Sequence, residues 1–83
     1  MALETAINIG LHIGNKVIDL RIPRIVTLEQ LNVIIANGLM SISMPLPQKW
    51  SLRLISKDIE IKLDVPLNEY PLSNGDQFLL VVE

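Results

Sequence analysis

Apolar and polar positions alternate strictly over Ala6–Ile13, with Ile7, Ile9, Leu11 and Ile13 on one side and Asn8, Gly10 and His12 on the other. A period of two is that of a half-buried strand. Gly14-Asn15 supplies a tight-turn pair. Alternation resumes over residues 16–22, with Ile18, Leu20 and Ile22 inward and Val17, Asp19 and Arg21 outward, so the two runs predict a hairpin. Pro23 has no N–H for a ladder and ends the second strand. Beyond it the period lengthens. Leu28, Leu31, Ile34, Ile35 and Leu39 recur at spacings of three and four, which predicts a helix with its apolar face on the hairpin. Thr27 to Gln30 reads as a capping box at its start, and Gly38 is expected to mark its end.

Residues 40–49, "MSISMPLPQK", hold two prolines and no sustained period, so they are expected to form a connecting loop. "WSLRLIS" then restores the alternation with Trp50, Leu52 and Leu54 inward. After Lys57-Asp58 a further short strand is expected to carry Ile59, Ile61 and Leu63. "VPLNEYPLSNGD" reads as a turn-rich crossover, and residues 78–82 as a final strand. This order predicts one α+β domain over residues 1–83, two layers deep, with the helix across one sheet face. The run "FLLVV" is apolar at both parities, as befits a strand in the middle of a sheet.

Composition narrows the possible chemistry. A chain of 83 residues needs a dense core, and Leu, Ile and Val supply 32 of them against three aromatics. There is no cysteine, hence no disulfide framework, which suits a reducing compartment. Seven basic and nine acidic residues are scattered singly for a net charge of −2, so nucleic acid is not an expected partner. The longest apolar run has five residues, far short of the roughly 20 of a membrane span, and the start lacks a basic leader segment. A cytoplasmic protein without direct membrane insertion is expected.

His12 is the only histidine, so no histidine pair or histidine–cysteine zinc site can be assembled. Asp58, Glu60 and Asp64 share a strand parity with Lys62 among them, which reads as a solvated, charged edge that discourages strand pairing. Neither a phosphate loop nor a nucleophile motif is present. We therefore expect no enzyme activity, no catalytic residue, no cofactor and no metal.

Three stretches together resemble ubiquitin: the opening hairpin, "VTLEQL" at the helix start, and "PLNEYPLSNGDQFLLVV". Within that superfamily, "DLRIP", "SMPLPQKW", the "KD" turn and "LSNGD", in this order, resemble the bacterial YukD and EsaB proteins of type VII secretion systems. The resemblance implies a ubiquitin-like β-grasp, with a mixed sheet of four to five strands and the last strand central, parallel to the first and beside the third. It also implies a role in binding protein components of a secretion machinery, the cytosolic parts of membrane proteins. The alternative within the superfamily is a modifier or sulfur carrier, whose carboxylate an enzyme activates. Val81-Val82-Glu83 stands where such proteins carry Gly-Gly, and two β-branched residues in a strand would hinder activation, so conjugation is not expected.

The inward assignments leave Ile55, Leu79 and Val81 on the outer sheet face. Arg53 and Lys57 flank Ile55 at two-residue spacing, and His12 lies on the adjoining strand. An apolar patch with a basic rim is a candidate protein-binding surface, for a machinery component or for a second copy in a homodimer. The competing reading is that the first five residues or the 40–49 loop fold over it. Met40, Met44, Leu46 and Trp50 form a second candidate surface, equally readable as plugs of a small core.

Overall fold

The computed structural model describes residues 6–43 and 46–83. Strand β1 spans Ala6–Ile13 and β2 spans Lys16–Pro23, joined through Gly14 at φ +59°, a left-handed conformation that costs a residue without Cβ little. They pair antiparallel with Ile9 opposite Leu20 and His12 opposite Val17. Helix α1, Leu28–Ser41, is followed by β3 at Trp50–Leu54, a short 3-10 helix at Leu67–Glu69 and β4 at Asp76–Val82. The sheet order is β2-β1-β4-β3, with β4 parallel to β1 and antiparallel to β3. The final strand is therefore central, as its apolar run requires.

The capping box forms as the sequence predicts. Thr27 Oγ1 accepts from the Gln30 N–H at 3.2 Å, and Gln30 Oε1 accepts from the Thr27 N–H at 3.0 Å. Leu28, Leu31, Ile35 and Leu39 are buried against Ile7, Ile9, Leu11, Ile22, Leu52, Leu54, Phe78 and Leu80, forming the core between helix and sheet.

Three expectations need correction. Ile34 is exposed rather than inward, because the buried stripe follows Leu31, Ile35 and Leu39 and Ile34 lies about 100° away from Ile35. Gly38 does not end the helix. The coil runs three residues further, and Ser43, at φ +58°, supplies the left-handed turn expected of the glycine. The strand expected over Ile59, Ile61 and Leu63 does not form. The Leu63 carbonyl accepts from the Glu29 N–H at 3.2 Å and the Lys62 N–H donates to the Tyr70 hydroxyl at 3.0 Å, which draws this segment toward the helix start instead of along β3. The described sheet therefore has four strands, and Asp58, Glu60 and Asp64 lie on irregular chain rather than on a strand edge.

Candidate functional site: the outer sheet face

With Ile7, Ile9, Leu11, Leu52, Leu54, Phe78 and Leu80 buried, strict alternation sends their neighbours to the opposite face. Register then fixes which of these meet. Leu79 pairs with His12 on one side and Arg53 on the other, and His12 pairs with Val17, so Val17, His12, Leu79 and Arg53 form one row across four strands. Val81 lies two residues along β4 from Leu79, opposite Ser51. Ile55 continues the β3 direction, its N–H donating to the Gln77 carbonyl at 2.9 Å, and its side chain is 45% exposed. Ile55, Leu79, Val81, Arg53 and His12 thus share the outer face, with Leu79 in the middle.

Lys57 does not join them. β3 ends at Leu54, so a two-residue spacing no longer carries a side chain to the sheet face. Its ammonium turns to the start of β4, bonding Asp76 Oδ2 at 2.9 Å and also the Pro71 carbonyl. Asp76 is buried, yet it accepts from the Ser56 hydroxyl at 2.7 Å and the Ser73 N–H at 2.8 Å as well. Burial alone would raise its carboxyl, but the hydrogen bonds from Lys57, Ser56 and Ser73 and the Lys57 charge outweigh it and hold the group below its ordinary value.

Gln77 organises the neighbouring part of the face. Its Nε2 donates to the Gly75 carbonyl at 2.8 Å, which orients Oε1 toward His12 Nε2 at 2.7 Å and makes that ring nitrogen the donor. The amide lies over Gly10: a Cβ there would sit 2.2 Å from Gln77 Oε1. Sequence reasoning left Val17 and Gln77 out of the patch. Their outward parity was visible, but their adjacency to His12 and Gly10 comes from pairings with distant strands.

Of the second candidate surface, Met44 lies outside the described residues, as do the first five residues, one of the two covers weighed as an alternative for the sheet face. Met40 is exposed on the helix, whereas Leu46 and Trp50 pack against the core, so these three do not form one surface. Among the described residues no group of acidic or histidine side chains is arranged to hold a metal ion, and no helix is long and apolar enough to cross a membrane.

A helix laid across a mixed sheet with this strand order defines a ubiquitin-like β-grasp. Solved structures share it: the ubiquitin-like domain of the Mycobacterium tuberculosis type VII secretion system protein ECCD1 has a TM-score of 0.67 at 20% identity, over 98% of this chain and 99% of that one. Ubiquitin from Caldiarchaeum subterraneum has a TM-score of 0.65 at 17% identity, over 94% of each. A chain of the MycP5-free ESX-5 inner membrane complex matches with a TM-score of 0.65 at 17% identity, over 92% of this chain and 20% of that one. At such identities the likeness is one of fold. No individual curated protein matches the sequence. The family described as WXG100 protein secretion system (Wss), protein YukD, matches residues 6–80, and the chain belongs to that family.

Proposed function

We propose that this protein is a non-catalytic, cytoplasmic accessory of the secretion system that acts by docking its outer sheet face onto a soluble part of a membrane-bound component. The observation that carries the reading is the apolar patch of Ile55, Leu79 and Val81 on one sheet face, flanked by Arg53 and His12. Membership of the family supports the setting. So does the fold likeness to a domain within an inner membrane complex of such a system, where the matched region is a small part of a longer chain.

Ile55→Asp puts a charge on a position that is solvated in the free protein, so stability should stay within about 1 kcal/mol of wild type. At an interface the same carboxylate would be buried without a partner, and affinity should fall roughly tenfold or more. The experiment compares wild type and Ile55→Asp by thermal melting, by sedimentation, and by quantitative capture of the secretion complex from detergent extracts of a secreting strain. A variant that melts normally but loses the complex supports the reading. Loss of self-association instead would make a second copy the occupant. A variant that unfolds would place Ile55 in the core, and one that folds and captures the complex normally would remove this face from consideration.

A further inference from the structure

A second surface is open at the backbone rather than at the side chains. β3 is terminal in the sheet, and its free side has no strand beside it among the described residues. The Ile55 N–H reaches Gln77 and the Glu83 N–H reaches the Lys49 carbonyl, so the odd-numbered residues of this stretch turn their backbone groups toward β4. Leu52 and Leu54 therefore turn theirs away, and no backbone group outside the sheet bonds them among the described residues. Alongside lies a groove of about 670 Å³, lined by Leu52 and Leu54 of the strand and by Ile59 and Ile61 of the segment that follows it. An unpaired strand edge of this kind is a template for another strand. The charged residues that could have blunted it, Asp58 and Glu60, line the groove from irregular chain instead of standing on the strand.

We propose that this groove receives one extended segment of another protein, added to β3 as a further strand, with apolar residues at alternate positions and a carboxylate level with Arg53. Charge decides between occupants: a second copy pairing antiparallel through both Leu52 and Leu54 would set Arg53 opposite its own counterpart, like charge against like, whereas a foreign strand can bring a carboxylate there. Alternation decides the composition. Side chains turned inward would lie against the partly buried Ile59 and Ile61, whereas those turned outward would lie beside Arg53, which is exposed and has no ion pair among the described residues. The inference concerns the sheet edge and does not rest on the sheet-face reading. Val81→Asp, on the face and away from the groove, should leave it intact.

The test uses capped nine-residue peptides alternating valine and serine, with glutamate at the central outward position, against the 15N-labelled chain. The glutamate peptide should shift the Leu52 and Leu54 amides and slow their exchange with solvent at least tenfold. A lysine in place of the glutamate should weaken binding roughly threefold, and Arg53→Glu should reverse that preference. N-methylation of the edge-facing peptide nitrogens should abolish binding, because strand addition needs those donors. Should Arg53→Glu fold poorly, Arg53→Gln should simply erase the preference. The proposal falls if the Leu52 and Leu54 amides of the free protein already exchange as slowly as those of Ser51 and Arg53. It falls equally if saturating peptide moves neither amide, or if the charge preference survives both Arg53 variants.

Discussion

Gly10 and Asp76 show what single residues hold in place, one on the outer sheet face and one at the start of β4. Gly10 has no side chain, and the Gln77 amide occupies the space one would fill, bonding His12 from there. Gly10→Ala should displace that amide, which is the far end of a flexible side chain, so the cost in stability should stay near 1 kcal/mol. The His12 imidazole proton should nonetheless lose its hydrogen bond, visible as an upfield shift of its NMR signal; an unchanged signal would contradict the packing described. Asp76 ties the residues after β3 to the turn before β4. Its folded pKa is depressed, so its contribution to stability is fully present above the ordinary carboxylate range and is lost as pH falls through and below it. Urea melts of wild type should therefore weaken below about pH 4. Asp76→Ala should lose about 2 kcal/mol at neutral pH and show a flatter profile there, since it has no proton to take up. Equal acid sensitivity in both proteins would mean that another carboxyl is responsible.

At the scale of an element, helix α1 ends where its last turn finds a left-handed residue, and that residue is Ser43 rather than Gly38. Gly38 instead sits inside the helix, exposed, with negative φ and nothing within 4 Å of the position a Cβ would take. Gly38→Ala should accordingly raise stability by about 0.5–1 kcal/mol, because alanine loses less backbone freedom on entering a helix. A loss in chemical denaturation would mean that the glycine is needed as a terminator after all. Thr27→Ala removes the reciprocal cap and should cost about 1 kcal/mol. Each change is local, and each separates a propensity readable in the sequence from the backbone angle that the fold assigns.

For the whole molecule, one aliphatic core holds the helix on the sheet. Leu31 and Leu80 are both buried within it, one from each layer. Leu31→Ala or Leu80→Ala should cost roughly 2–5 kcal/mol, a large share of what so small a domain has. Denaturant titrations giving well under 1 kcal/mol for both would reverse the assignment of sheet faces, since a one-residue slip exchanges the two sides of every strand. Alternation along the chain was enough to place Ile9, Leu11 and Leu52 inside and Arg53 outside, because a period of two is a local property of extended backbone; over residues 78–82, apolar at both parities, the faces follow from the pairing with β1 and β3. The hairpin and the capping box were legible from local signals too, whereas the central place of the last strand was implied by its two-sided apolar run and by the family resemblance. Tertiary structure alone decided which outward residues meet: His12 lies beside Val17 and Leu79 through pairings that no local period encodes. It likewise took Lys57 from Ile55 to Asp76, because the strand that would have aimed it stops at Leu54. The residues after it had the pattern of a strand, yet Glu29 and Tyr70 held their backbone elsewhere and left the edge of β3 with no strand beside it among the described residues.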